Sequence, residues 1–458
     1  MCPLVCGIQG SYYVNKWLAS FCERLPIKGI NMSNKESNAN IRFNRSEIQW
    51  LILALQFAEK CSELCSQTDM SNAFQKLRVD LVKIKDALIE KENSIAETVR
   101  TSGVTWIKSI KEFNIPEDCY HPIKNFSFAS PNNEVTISDS IPTAAVLDVR
   151  KTYRWLSEEA RKLGADIFVK TNINEVIKDD NQNIIGVKGT GPEGKITFNS
   201  KVVIDATGFT STISKTMGYV TQWERFGAGA EYEAEVENVD PDTWWLMVGQ
   251  EYTPAGYAWI FPLGKNIVRI GVGVGKPESN IDPTQRLKEI IEKKLGPIKK
   301  LGKITPIEFH YGLIPNDGLS RKTVYNNLIL VGDTAGQANP LVLEGIRYAI
   351  RFGRVAGKVA ADAIKNKKTD EKALYPYEEN WRNAIETKIN SAGKVQDRWI
   401  KLSDEEWDKE LDIIKELKTE EFLDFIKADF GLSNMVKLAM SHPKLAVRQL
   451  FNLVKSKQ

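Results

Sequence analysis

The first quarter of the chain has long stretches without glycine or proline. There is no glycine between Gly29 and Gly103 and no proline between Pro26 and Pro116. A glycine-rich phosphate loop is therefore excluded there, because residues with a Cβ atom cannot bring the backbone close enough to a phosphate. Apolar side chains at spacings of three and four instead predict a helical hairpin over about residues 46–92.

The chain also lacks long apolar runs and a strong net charge. No apolar stretch approaches the roughly 20 residues that cross a bilayer, and the first residues lack the basic start and apolar core of a signal peptide. A net charge of +3 is too small to indicate a nucleic-acid partner. Six cysteines in 458 residues are too few for a disulfide scaffold, so we expect a reducing, cytoplasmic setting.

Two cysteine pairs have the spacing that would place them on one face of a helix, Cys2 with Cys6 and Cys61 with Cys65. Such a pair is compatible with a metal or redox site. The usual metal-binding pair is more closely spaced, and the three histidines lie far away in sequence. We therefore expect no bound metal.

The most informative stretch runs from Leu328 to Ile364. An apolar run, Leu328–Val331, predicts a buried strand, Gly332 to Gly336 predicts a tight turn, and a helical pattern begins near Gly345. An Asp at the carboxyl end of a buried strand faces the ligand crevice of an open α/β sheet, where it suits sugar or ribityl hydroxyls. The alternative is an aspartate that only forms the turn.

This stretch, GDTAGQANPLVLEGIRYAI, resembles the second FAD-binding motif of the hydroxybenzoate-hydroxylase-like flavoproteins, and more narrowly that of the geranylgeranyl reductase family. The resemblance implies that Asp333 holds the ribityl or pyrophosphate portion of FAD. It also implies that the backbone at Gly345 and Ile346 meets the pyrimidine edge of the flavin. The other motif positions that the resemblance assigns to the cofactor are Gly332, Gly336 and Pro340.

The first motif of that family, a strand followed by G-x-G-x-x-G, is missing from this sequence. Residues 87–92 resemble the family's second strand, with Glu90 binding the adenosine ribose, although Glu90 also fits a solvated helix. Residues 95–103 resemble the loop over the flavin, in which Arg100 either meets a phosphate or is exposed. Ser102 stands near the place of a family cysteine. Residues 1–86 are either a real replacement or a faulty or fused gene product.

Two further passages match the family's order. Arg150 precedes a helix and would contact the cofactor, or else form a surface salt bridge, and the backbone at Ile173 would meet the adenine. The Asp-Ala-Thr-Gly motif follows a second buried strand and would line the dinucleotide. Its residues are Asp205, Ala206, Thr207 and Gly208.

Residues 219–320 are rich in aromatic side chains and in period-two alternation, which predicts an antiparallel sheet. VRIGVGV at 268–274 reads as a strand, so its G-x-G-x-G is a weak dinucleotide signal. Aromatic side chains that alternate along a strand share one face and can line a channel for an apolar chain, or they are ordinary core residues. Four residues resemble the Tyr-x-Trp-x-Phe-Pro motif of geranylgeranyl reductases and are our candidates for substrate contact: Tyr257, Trp259, Phe261 and Pro262.

The tail from about residue 380 is predicted to be helical, with Ser403 and Glu406 as a capping box. Residues 435–454 could close the channel or rest on a membrane surface, but packing against the body is favoured. We predict an atypical segment over 1–86, a discontinuous FAD-binding domain over 87–218 and 321–375 with some substrate-domain strands near 115–145, a substrate domain over 219–320, and a helical region over 376–458.

The sequence thus predicts an α/β fold and an FAD-dependent oxidoreductase that reduces geranylgeranyl double bonds in lipid or prenyl precursors. NAD(P)H or another reductant would supply electrons, and the partner is an apolar isoprenoid or lipid. No residue stands out as a proton donor. The alternatives are monooxygenase or halogenase chemistry on the same fold, or a non-catalytic relative that has lost tight FAD binding.

Overall fold

The computed structural model describes residues 86–319 and 321–428. Its strands in chain order are β1 (Ala87–Ile89), β2 (Val104–Trp106), β3 (Tyr120–Ile123), β4 (Asn125–Ala129), β5 (Glu134–Ser138), β6 (Ala144–Leu147), β7 (Asp166–Phe168), β8 (Asn172–Lys178), β9 (Ile184–Gly191), β10 (Gly194–Asn199), β11 (Val203–Asp205), β12 (Phe226–Val236), β13 (Thr243–Val248), β14 (Gly256–Gly264), β15 (Ile267–Lys276), β16 (Ile304–Pro315), β17 (Val324–Tyr325) and β18 (Leu328–Leu330).

The helices in chain order are α1 (Ile107–Phe113), α2 (Val149–Lys162), α3 (Thr212–Thr216), α4 (Pro283–Glu292), α5 (Ile346–Lys365), α6 (Glu371–Leu374), α7 (Pro376–Trp381), α8 (Thr387–Trp399), α9 (Asp404–Ile414) and α10 (Thr419–Ile426). A π-helical segment, Arg382–Glu386, joins α7 to α8. No helix in the described ranges is both long enough and apolar enough to cross a membrane.

The largest sheet has seven strands in the order β16-β12-β15-β14-β13-β4-β5. Its pairings are antiparallel except for the parallel pair β13 and β4. Because side chains alternate along each strand, the sheet has two different apolar faces. One face carries Ala258 and Ile260 and packs with Leu287 of α4, and the other carries aromatic side chains such as Phe126 and Trp244.

The C-terminal helices cover the aromatic face of this sheet. Trp407 and Leu411 of α9 and Phe422 of α10 are buried in the same cluster as Trp244. The predicted capping box begins α9, where the Ser403 N–H donates to Glu406 at 2.9 Å and the Glu406 N–H donates back to Ser403 at 3.3 Å. Packing of the tail against the body is therefore confirmed as far as residue 428, and residues 435–454 lie outside the described part.

Two pairs of parallel strands lie beside the helices. β1 pairs with β7, and β11 pairs with β18. The predicted strand and helix of the Leu328–Ile364 stretch are confirmed as β18 and α5. The helical interpretation of residues 46–92 is wrong at residues 87–89, which form β1. A short apolar run is ambiguous, and here pairing with β7 decides in favour of a strand. The rest of that interpretation lies outside the described residues.

The remaining strands form three-stranded sheets, β10-β9-β8, β11-β18-β17 and β2-β6-β3. The predicted α/β class, with an antiparallel sheet and a helical C-terminal region, is confirmed. Residues 125–138 form β4 and β5 of the large sheet, so that sheet draws strands from two parts of the sequence. The division into cofactor and substrate domains stays a prediction.

Candidate functional site

Asp333 lies in a turn at the carboxyl end of β18, directly beside the start of α5. A Cβ atom on Gly345 would be 3.1 Å from Asp333 Oδ1. The turn is closed by Gly332 and Gly336, whose φ angles of +66° and +73° favour glycine. The first turn of α5 has neither a capping side chain nor an acidic residue. This end of the helix therefore presents N–H groups to a ligand, as predicted for Gly345 and Ile346.

The carboxyl group of Asp333 accepts no hydrogen bond from the residues that the structure describes. It is partly exposed at the crevice, yet desolvation raises its pKa to about 6. Tyr153 of α2 lies near it: burial, reinforced by the negative charge of Asp333, raises the pKa of Tyr153 to about 12. Tyr153 was not a sequence candidate, although it follows Arg150 by three residues on one helix face.

Asp205 differs from Asp333 because its carboxyl group is fully used within its own loop. It is buried and accepts hydrogen bonds from the Thr207 N–H at 3.1 Å, the Thr207 hydroxyl at 2.6 Å and the Ser214 N–H at 2.8 Å. The Thr334 hydroxyl donates to the Gly208 carbonyl at 3.0 Å and joins the two strand-end motifs. The structure thus brings the two motifs together, with Asp205 shaping the loop. Ala206 and Thr207 are exposed.

Arg150 fastens the loop of residues 93–103 to the large sheet. Its guanidinium pairs with both carboxylate oxygens of Glu308 on β16, at 2.6 and 3.1 Å. It also donates to the carbonyls of Ala96, at 3.1 Å, and Glu97, at 3.3 Å. The salt-bridge alternative is therefore realised, and the same side chain holds the loop that was predicted to lie over a flavin.

The other residues predicted to meet the adenosine half lie at the edges of this region. Glu90 follows β1, and its carboxylate accepts from the Glu92 N–H at 3.0 Å. Arg100 is exposed and paired with Glu92. Ile173 lies half-buried in β8, opposite Gly189 of β9. Their roles toward a cofactor stay predictions.

A pocket lies between the aromatic face of the large sheet, residues 101–104 and the start of α5. Its lining includes Ser102, Trp106, Trp244, Tyr257, Phe261 and Glu344, together with Gly345 and Ile346. The free volume is about 40 Å³, room for a few waters, so an isoprenoid chain requires side chains to move apart. The predicted residue Pro262 is not in the lining. It faces the other side of β14, because neighbouring residues of a strand alternate.

Trp259 lies beneath the pocket, stacked against Phe261 with ring centroids 5.9 Å apart. Its indole rests on the glycines of β15: a Cβ atom on Gly271 would overlap the ring, and one on Gly273 would be 3.4 Å from it. The G-x-G-x-G of the sequence is therefore a packing surface for tryptophan. Its interpretation as a strand and not a dinucleotide loop is confirmed.

A buried charged cluster on the same face was missed by the sequence analysis. Glu231 accepts from the Trp259 indole N–H and pairs with His310 Nδ1, each at 2.8 Å. Arg269 pairs with Glu233 at 3.1 Å and donates to the carbonyl of Ser102 at 2.9 Å. Alternation in β12 places the two glutamates on one face, but only the strand register brings the histidine and arginine to them. The cluster supports the loop at the pocket wall.

Glu344 is the acidic residue of the pocket lining, and it too was missed. It is 7% exposed. Its Oε2 accepts from Arg347 Nε at 2.6 Å. Its Oε1 is buried and has no hydrogen-bond partner among the described residues. Nothing in the sequence distinguished this glutamate from a surface one.

The chain is similar to several known proteins. Residues 227–314 match the model of the geranylgeranyl reductase catalytic domain. A digeranylgeranylglycerophospholipid reductase of Methanocaldococcus jannaschii is 35% identical over 332 residues, 71% of this chain and 83% of the relative. Digeranylgeranylglycerophospholipid reductase 1 of Methanopyrus kandleri is 30% identical over 294 residues, 64% and 74% of the two chains. The crystal structure of a geranylgeranyl bacteriochlorophyll reductase-like protein from Thermoplasma acidophilum matches with a TM-score of 0.70 at 24% identity, covering 80% of this chain and 93% of that one.

Proposed function

The chain belongs to the geranylgeranyl reductase family of flavoprotein oxidoreductases, and from this premise we propose that it uses FAD to reduce isoprenoid double bonds in a geranylgeranyl glycerophospholipid. The observation that carries the proposal is the position of the pocket. Tyr257 and Phe261, from the aromatic strand, share it with Gly345 and Ile346 at the open end of α5. An apolar chain in this pocket would lie next to the predicted edge of the flavin ring.

The described residues fit the flavin half of FAD. The carboxyl group of Asp333 is free to accept ribityl hydroxyls, and the uncapped N–H groups at the start of α5 suit the electron-rich pyrimidine edge. When bound, FAD supplies the hydride. The part of the protein contributed by this chain is to orient the alkene and to exclude water from the reacting atoms, which the aromatic lining does.

The fit to the adenosine half is less complete. Glu90 would hold the ribose, and Arg100, whose present partner is an exposed pair with Glu92, would turn to a phosphate. Residues 86–319 and 321–428 contain no glycine loop that opens a helix for the pyrophosphate. Binding of FAD therefore has to be measured directly.

Two further features follow from the proposed reaction. Each reduced double bond consumes two electrons, so an external donor, NAD(P)H or another reductant, must restore the flavin. The substrate is an apolar lipid, so the protein meets it at a membrane surface or takes it from one. These statements rest on the proposed chemistry.

The test begins with the visible absorption spectrum of the purified full-length chain before and after FAD is added. We expect an oxidised flavin spectrum that stays with the protein through gel filtration. A geranylgeranyl glycerophospholipid is then supplied with a chemical reductant, and mass spectrometry should show a gain of hydrogen pairs. Protein that stays colourless in excess FAD would overturn the proposal and make the missing glycine loop decisive.

A further inference from the structure

The buried oxygen of Glu344 has a cost that packing alone does not explain. Leaving a buried polar atom without a hydrogen bond costs on the order of 1–3 kcal/mol, and more when it carries charge. Such atoms are uncommon in folded proteins and mark a strained or reactive group. Glu344 Oε1 is such an atom among the described residues, and its side chain lines the pocket into which the substrate is proposed to enter.

The other polar groups around the pocket already have partners. The Tyr257 hydroxyl donates to the Val342 carbonyl at 2.6 Å. Burial, with the nearby charges of Glu231 and Glu344, raises the pKa of Tyr257 and makes it a poor acid. The Lys427 ammonium lies 4.9 Å from the centre of the Trp106 ring. Within the described part of the chain, Glu344 is thus the titratable group that offers the cavity an unused oxygen.

Arg347 fixes the orientation of this carboxyl group. Its Nε holds Glu344 Oε2 at 2.6 Å, while its Nη2 donates to the Tyr348 hydroxyl at 2.8 Å and to the Lys427 carbonyl at 2.6 Å. A guanidinium held at both ends cannot rotate away without breaking these bonds. Glu344 Oε2 therefore stays on the arginine, and Oε1 is the oxygen that is left for the pocket.

We propose that Glu344 is the proton donor of the reaction, an inference that rests on the proposed reduction of isoprenoid double bonds. The O–H bond of the neutral carboxyl group breaks and its electron pair stays on oxygen. The π pair of the alkene forms the new C–H bond, and the neighbouring carbon takes a hydride, with its two electrons, from reduced flavin. The product has gained one proton and one hydride, and the flavin has lost two electrons.

The surroundings of Glu344 suit this step. As the proton moves, positive charge develops on the carbon that will accept the hydride. That charge faces the new carboxylate and the rings of Trp106, Trp244 and Phe261, which line the same pocket. Arg347 stabilises the carboxylate that remains. The carboxyl group regains a proton from water when the product leaves.

The first test needs no flavin. Two saturated prenyl lipids are compared as ligands of the full-length chain, one with a tertiary ammonium in place of the branched carbon and one with the carbon itself. Binding is followed by tryptophan fluorescence, since Trp106 and Trp244 line the pocket. We expect the ammonium lipid to bind at least about tenfold more tightly, an advantage of about 1.4 kcal/mol. Glu344→Gln should abolish that preference.

Glu410→Gln is the matched control. Glu410 is also a buried glutamate held by an arginine, Arg398, at 2.6 Å, but it is not part of the pocket lining. The control variant should keep the ammonium preference and the wild-type rate. A preference that survives Glu344→Gln would overturn the proposal.

The second test uses the flavin-loaded enzyme. Glu344→Gln should slow the reduction of the lipid by about 10²–10⁴-fold, the usual contribution of a general acid. Its flavin should still bind and still be reduced by the donor. Lipid reduction at the wild-type rate in Glu344→Gln would overturn this proposal alone, whereas a wild-type chain that takes up no FAD would overturn the proposed function with it.

Discussion

Replacing Asp333 with asparagine should stabilise the flavin-free protein at neutral pH. Desolvation raises the pKa of Asp333 from 3.8 to about 6, a shift of roughly 2 units. Each unit corresponds to about 1.36 kcal/mol, so the ionised carboxylate costs the folded state at most about 3 kcal/mol. Because the side chain is partly exposed and screened by solvent, we expect a gain of about 1–3 kcal/mol from Asp333→Asn.

The dependence on pH follows from the direction of the shift. The folded state holds the proton of Asp333 more tightly than the unfolded chain does. Between the unfolded pKa of 3.8 and the folded value of about 6, the unfolded state therefore binds fewer protons, and stability falls as pH rises. Wild type and Asp333→Asn should be equally stable below this window, and the difference should reach its full size above it.

Asp205→Asn is the comparison that makes the result interpretable. Both aspartates end a parallel strand, at β11 and β18. Asp205, however, accepts hydrogen bonds from the Thr207 hydroxyl and from the N–H groups of Thr207 and Ser214. An asparagine turns an NH₂ group toward some of these donors, so Asp205→Asn should lose on the order of 1–3 kcal/mol at neutral pH.

The assay is the midpoint of thermal or urea unfolding, measured without FAD across the window from acid to neutral pH. Differences between variants are more secure than absolute free energies, because a chain of this size need not unfold in two states. A destabilised Asp333→Asn at neutral pH, or a difference that does not vary with pH, would refute the reasoning. The same variant should bind FAD more weakly if the carboxyl group serves the ribityl chain.

The sequence predicted those parts of the fold that depend on local pattern. The change from an apolar run to a glycine turn and then to helical spacing located β18 and α5 within one residue of their observed starts. Ser403 and Glu406 lie three residues apart ahead of an apolar helix face, and they form the capping box that was expected. In each case the residues that decide the structure are neighbours in the chain.

The parts that failed depend on contacts between distant residues. Asp205 and Asp333 look alike in sequence, since each follows an apolar strand and precedes small residues. Only the fold shows that Ser214, nine residues further on, satisfies the first, while the second is left free. Pro262 was grouped with the aromatic motif, although strict alternation along β14 would have placed it on the opposite face from Phe261.

The glycine floor and the loop clamp give two further predictions. Gly271→Ala should destabilise the protein by about 1–3 kcal/mol, measured by the same unfolding midpoints, because the new methyl group would overlap Trp259. Gly273→Ala is its control, since a Cβ there makes an ordinary contact of 3.4 Å, and equal losses in both would contradict this account. Arg150→Lys keeps the charge but cannot pair with both oxygens of Glu308 while also holding two loop carbonyls. The amides of residues 93–103 should therefore exchange hydrogen faster in the variant, by mass spectrometry, while α9 stays unchanged. Exchange at the wild-type rate would mean that the loop is held by its own contacts, and that the arginine is free to serve a cofactor as the family resemblance implies.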